Sequence, residues 1–210
     1  MLKNAFSKFF PTPVFLSLPS FGLDISDESL KFIELLPTGE GLRVGRHGER
    51  SVPTGIIESG KIVDPRRLQE LLSNLRTEEG IHSVRVSLPE EQVYLFSLKL
   101  DKLGLVKIRE GIELALEEHI PIPAQDAIFD YDIVNEDSKS FYLQVAAIQK
   151  NVIEGYLEVF ASADIYVNAF ELEAQAIARA VIKKGDLDTY MIVDFGEKRT
   201  GIFIISRGVV

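Results

Sequence analysis

Two aspartates stand at the ends of hydrophobic strand patterns near opposite ends of this sequence. Asp24 lies in Phe21–Ile25 (FGLDI) and Asp194 in Met191–Phe195 (MIVDF). A short polar turn follows each, Ser26-Asp27-Glu28-Ser29 in the first case and Gly196–Thr200 in the second. A second hydrophobic strand completes each unit, Leu30–Leu36 and Gly201–Ser206. The chemistry open to such a pair is the holding of a metal-bound polyphosphate. Mg²⁺ keeps several waters and takes one or two carboxylates plus phosphate oxygens. Small residues in a turn let backbone N–H groups approach phosphate. Asp and Gly also favour turns for local backbone reasons, so either copy alone reads first as a plain hairpin. Their repetition is what raises the prospect of two loops facing across a nucleotide.

The elements that must position these loops are mixed. Asp64 and Pro65 open a helix as N-cap and first residue, and Leu68, Leu71, Leu72 and Leu75 give it an apolar face before Gly80 ends it. Strands are expected at Leu42–Val44, Val84–Leu88, Val93–Leu100, Ile128–Val134, Phe141–Ile148 and Ile165–Phe170 by apolar alternation. Helices are expected at Val106–His119, Asn151–Ala163 and Glu171–Lys184, the first stopped by Pro121 and Pro123. Interleaved helices and strands put the chain in the α/β or α+β class.

The pattern Gly22-Leu23-Asp24-Ile25-Ser26, with Lys31, resembles the first phosphate motif of actin-like ATPases. Asp194-Phe195-Gly196 with Thr200 resembles their second. Gly55–Pro65 (GIIESGKIVDP), His119–Pro123 (HIPIP), Phe129-Asp130-Tyr131, Val145-Ala146-Ala147 and Glu171–Ala180 are similar to the PilM family of type IV pilus assembly proteins. The likeness extends over about residues 21–210, against the usual size of a domain. The cell-division protein FtsA is a neighbouring family and shares an inserted strand–helix–strand–strand (SHS2) module.

The resemblance implies an α/β fold. An actin-like, RNase H-like first half would occupy 21–92 and 170–189, with an inserted module at 93–169. The opening hairpin of a second half would occupy 190–210, and a leader 1–20. It further implies ATP and Mg²⁺ held by Gly22, Asp24, Ser26, Lys31, Asp194, Gly196 and Thr200, with Asp24 and Asp194 on the metal side. The implied partner is a PilN-like inner-membrane protein whose cytoplasmic tail enters a groove, alongside other pilus platform proteins. Membrane association would come through those partners, at the inner face of the cytoplasmic membrane, with room for self-association. The alternative is an FtsA-like membrane adaptor of cell division. Family members usually carry Gly at the place of Ser26 and small hydroxyl residues at Asp27 and Glu28. Two acids there repel a triphosphate unless Mg²⁺ screens them. In the second loop Glu197, Lys198 and Arg199 replace small residues; either cation suits a phosphate, whereas Glu197 opposes one.

Length and composition bound the rest. The 210 residues, with 46% hydrophobic and 26% charged, suit one large domain or two small ones. Within the resemblance, that length reads as a first half plus the start of a second, so ATP binding is expected only with the second half present. A net charge of −9 argues against a general nucleic-acid binder. No cysteine is present, which removes disulfides, thiolate metal sites and cysteine nucleophiles. His47, His82 and His119 lack metal-ligand spacing. Glu110, Glu113, Glu117 and Glu118 read as a solvated helix face. The Phe-rich start, with Lys3 and Lys8, is broken by Pro11, Pro13 and Pro19, unlike a signal peptide. It reads as a leader without a separate role or as a short amphipathic contact segment. A sugar kinase of the same superfold would need a positioned base and an acceptor pocket, and no motif supplies them. The expectation is an ATP-binding scaffold rather than an efficient ATPase.

Overall fold

The computed structural model describes residues 20–39, 41–102, 107–183, 185–196, 200–206 and 209–210. The leader up to residue 19, the expected helix start Val106, the charged run Glu197-Lys198-Arg199 and the pair Arg207-Gly208 lie outside the described residues.

The larger sheet has five strands. They are β1 (Phe21–Ile25), β2 (Ser29–Thr38), β3 (Gly41–Ser51), β6 (Ser83–Leu88) and β10 (Tyr166–Leu172), in the order β10-β6-β1-β2-β3. β1 pairs with β2 antiparallel and with β6 parallel, and β10 pairs with β6 parallel. Alternation decides the faces. Phe21, Leu23 and Ile25 are buried, while Gly22 and Asp24 turn to the other side. The apolar face is covered by α1 (Pro65–Glu79), which buries Leu68, Leu72 and Leu75. The helix is bounded as its residues dictate. Asp64 accepts the Arg67 N–H at 3.1 Å, and Gly80, at φ +66°, donates its N–H to the Arg76 carbonyl.

β3 is much longer than the expected Leu42–Val44. Its sequence, GLRVGRHGERS, has no apolar alternation because it is a mostly exposed edge strand that, among the described residues, pairs only with β2. Gly48 serves this pairing. A Cβ there would lie 2.8 Å from the Phe32 Cζ, so the missing side chain makes room for a buried ring.

The second unit is β7 (Val93–Asp101), α2 (Ile108–His119), β8 (Ala127–Glu136) and β9 (Ser140–Gln149). This is the expected strand–helix–strand–strand order. Its antiparallel sheet runs β7-β9-β8 around Ile112, Leu116, Leu143 and Val145. His119 stacks on Phe96 with centroids 4.5 Å apart.

Residues 150–169, expected inside the inserted block, pack elsewhere. α3 (Lys150–Ser162) sends Tyr156, Val159 and Phe160 into the core beneath the five-stranded sheet, beside Leu68 and Leu72. β10 follows and joins β6. Apolar periodicity establishes that a helix has a buried face but not which core receives it. The chain then enters α4 (Glu173–Val181), which starts later than the expected 171 because Glu171 and Leu172 finish β10 and stops short of 184 at the extended Ile182. β11 (Thr189–Phe195) and β12 (Thr200–Ser206) form a separate antiparallel hairpin. Phe203 and Ile205 bury one face of it on Ala174 and Ala178, whose small side chains let the strands approach α4. A two-stranded hairpin is marginal alone. This contact is what anchors it.

Candidate functional site

The ends of β1 and β11 open into one cleft of about 620 Å³. Asp24, Ser26, Lys31, Asp194, Gly196 and Thr200 all line it. Gly22 does not. It lies within the sheet, where a Cβ would stand 3.2 Å from the Ile33 Cγ2. Lys31 is placed by register. β1–β2 pairing sets it opposite Asp24, and β2–β3 pairing sets Glu49 on its other side. Asp194 pairs across its hairpin with Gly201, where a Cβ would meet the Phe203 ring at 2.8 Å.

Local bonding divides these residues by role. The Ser26 hydroxyl accepts the Ser29 N–H at 3.1 Å and the Glu28 N–H at 3.3 Å, so it shapes its own turn. Asp27 turns its carboxylate to the backbone N–H groups of Ser59 and Gly60, at 2.7 and 3.0 Å. The acid expected to oppose a phosphate is thus engaged by the protein itself. Thr200 begins β12 opposite Phe195 as well as lining the cleft.

Sequence reading named as site residues neither Glu173, the first residue of α4, nor the cleft residues Glu49, Glu90 and Glu91, the last two of which read only as a turn after Pro89. Glu173 lay inside a quoted motif, but only the fold shows that it points into the cleft. It is half-buried there. Burial first, then the charges of Asp24, Asp194 and Glu90, push its carboxyl up to about 7, with Lys31 pulling the other way. Both strand-end aspartates therefore act on one carboxyl, although they belong to hairpins at opposite ends of the chain.

The sign of this shift gives a test. An acid whose folded pKa is raised binds more protons folded than unfolded. Glu173 therefore erodes stability as pH rises from the ordinary 4.5 to about 7, and its cost is constant above that. We expect Glu173→Gln to match the parent below about pH 4.5. Above pH 7 it should be more stable by about 1–2 kcal/mol, a figure discounted for partial solvent screening. Urea melts across that range check it. An offset equal at every pH would contradict the shift.

The donor set suits a hydrated magnesium polyphosphate better than a bare metal. Among the described residues, no three His, Cys, Asp or Glu side chains converge as a metal cage. Asp24 and Asp194 instead offer one strand-end carboxylate from each hairpin, the number Mg²⁺ usually takes beside phosphate oxygens. The described lining carries eight carboxylates (those of Asp24, Asp27, Glu28, Glu49, Glu90, Glu91, Glu173 and Asp194) and one lysine, Lys31. Such a wall favours a polyanion only when a divalent cation comes with it.

A second cavity, a groove of about 450 Å³, lies between the two sheets. Leu88, Phe129, Ile148, Phe170 and Leu172 make it mainly apolar, and Arg109 stands over the Phe129 ring at 4.5 Å. Among the described residues, no helix is long and apolar enough to cross a membrane.

A family model described as type IV pilus assembly protein PilM matches residues 22–210. Among solved structures, the PilM–PilN type IV pilus biogenesis complex matches with a TM-score of 0.78 at 20% identity, over 90% of this chain and 59% of that chain. The cytoplasmic domain of EpsL, an inner-membrane component of the type II secretion system of Vibrio cholerae, matches with a TM-score of 0.61. Its identity is 12%, over 92% of this chain and 69% of that one. The ethanolamine utilization protein EutJ from Carboxydothermus hydrogenoformans matches with a TM-score of 0.51 at 14% identity, over 94% and 50% of the two chains. At these identities the structural likeness is one of fold, the α/β fold of actin-like ATPases. The chain spans 59% of the chain it matches in the PilM–PilN complex.

Proposed function

We infer the function of this chain from one premise: it belongs to the type IV pilus assembly protein PilM family. The proposed role is that of an actin-like scaffold in the assembly platform of the pilus, working at the inner face of the cytoplasmic membrane. Two ligands follow from the cleft and the groove. The cleft is the first-half wall of a site for ATP with Mg²⁺ that the second half of the fold would complete, and the groove takes the short cytoplasmic segment of a PilN-like membrane protein. The observation that carries the reading is the meeting of Asp24, Ser26 and Lys31 with Asp194, Gly196 and Thr200 on one cleft.

Each residue has a part that its position supports. Asp24 and Asp194 would hold the metal. Lys31 offers its ammonium to a phosphate oxygen, and Gly196 lets the backbone approach one. Ser26 fixes the shape of the first loop. Bound Mg²⁺ would screen the phosphate charge from the surrounding carboxylates. Glu173 can keep or lose a proton near neutral pH at the edge of this site. Packing supports drawing the inserted module at about 93–149, with 150–189 returned to the first half.

The partner arm is testable through Ala146, which lines the groove from the central strand of the small sheet. A peptide copying the N-terminal segment of a PilN-type protein should bind the parent chain. Ala146→Glu should weaken it at least tenfold by placing a charge in an apolar groove, with the circular dichroism spectrum unchanged. Equal binding by both proteins would remove the peptide from this groove.

A further inference from the structure

The Gly55–Pro65 pattern contributes no residue to the described walls of the cleft or the groove. Its centre is the Ser59-Gly60 turn between β4 (Ile57–Glu58) and β5 (Lys61–Ile62), with φ values of +50° and +73°. Every backbone polar group of these two residues meets a side chain from elsewhere. Asp27 accepts both N–H groups. Gln92 donates its amide Nε2–H to the Ser59 carbonyl at 2.6 Å. The buried Tyr156 hydroxyl donates to the Gly60 carbonyl at 3.0 Å. A Cβ on Gly60 would stand 2.9 Å from the Pro89 Cβ, so the turn is pressed against the segment that leads to Gln92.

The three side chains come from different places. Asp27 belongs to the loop that lines the cleft. Gln92 immediately precedes Val93, a groove residue. Tyr156 sits on α3 and meets Phe170, another groove residue, edge-on with centroids 6.5 Å apart. We propose that the Ser59-Gly60 turn is a brace fixing the Asp24–Lys31 loop relative to the groove, and that Asp27 is a positioning residue of that brace rather than a contact to phosphate or metal.

Three physical points support it. Two successive N–H groups at positive φ form a small concavity suited to an anion, and the Asp27 carboxylate fills it. Ser59 pays for its left-handed backbone, so bonds to the turn are needed to hold it there. Tyr156 is kept in its donor form, because burial and then the Asp27 charge push its hydroxyl pKa upward.

The test is hydrogen exchange on the whole chain, comparing the parent with Asp27→Asn, Tyr156→Phe and Gln92→Ala. Tyr156 lines neither cavity. Its variant should nevertheless speed exchange about fivefold at the Ser59 and Gly60 amides and at the Ser26 and Ser29 amides of the first loop. Fivefold is roughly the net worth of one hydrogen bond. Gln92→Ala, a milder change, should act in the same direction if Tyr156→Phe fails to fold. The melting shifts of Asp27→Asn and Tyr156→Phe should add to more than the double variant shows. Changes confined to α3, with additive shifts, would overturn the brace. The consequence for ligands rests on the nucleotide reading. Tyr156→Phe should weaken MgATP about fivefold, through a changed Kd and not through a lost contact. A protein that carries the second half and binds no MgATP would defeat that reading, while the exchange pattern would still decide the brace.

Discussion

Asp24→Asn is expected to weaken MgATP on the order of 50-fold, the worth of one lost charge-assisted contact, and to strengthen metal-free ATP. The opposite signs follow from the composition of the cleft. Lys31 is the single cation among eight carboxylates in its described lining. Without metal, every carboxylate there repels a triphosphate, so removing one charge helps. With Mg²⁺ present, Asp24 would attract the metal, and its loss would cost that attraction. Asn preserves the shape of the side chain and its place opposite Lys31 on β2, so the change is one of charge. Calorimetric titration with Mg²⁺ and with a chelator reads both signs. Equal losses under both conditions would mean that Asp24 shapes the fold and does not serve the metal.

Phe160→Ala costs about 3–5 kcal/mol, as removal of a fully buried aromatic ring does. Phe160 is completely buried, and with Tyr156 and Val159 it joins α3 to the core around Leu68 and Leu72. The size of the loss comes from the ring's burial and from the cavity its removal leaves between two helices and a sheet. Leu116→Ala is the control, since Leu116 is equally buried but in the separate core of the small sheet. In denaturant with hydrogen exchange, the Phe160 variant should deprotect α1 and β1. The Leu116 variant should deprotect β7, β8 and β9 first. A loss below about 1 kcal/mol for Phe160→Ala would contradict the assignment of α3 to the larger core.

The sequence was most informative where a signal is local. Asp64, Pro65 and Gly80 bound α1 by capping chemistry, and the helix forms between them. The hairpins around Asp24 and Asp194 were equally legible, because a strand ending in Asp before a polar turn carries its own pattern. What escaped was decided by contacts distant in sequence. β3 hides its strand character behind Gly45 and Gly48, and Gly48 makes sense only once the Phe32 ring lies against it. α3 and β10 have the periodicity of their elements, yet nothing local says that they return to the first sheet. Glu173 is an ordinary acid at a helix start until the fold sets it near Asp24, Asp194 and Glu90. Asp27 is the instructive reversal. Its neighbours in sequence made it an obstacle to phosphate, whereas its neighbours in space, Ser59 and Gly60, give it a partner.

The central claim is that the two aspartate hairpins form one metal-nucleotide site. Mn²⁺ in place of Mg²⁺ tests it most directly, since a paramagnetic ion broadens the amide resonances of nearby residues only. With ATP and substoichiometric Mn²⁺, the account predicts broadening at residues 24–31 together with residues 194–196 and 200–201, and its loss on chelation. Broadening at one hairpin alone, at the groove, or nowhere would contradict it.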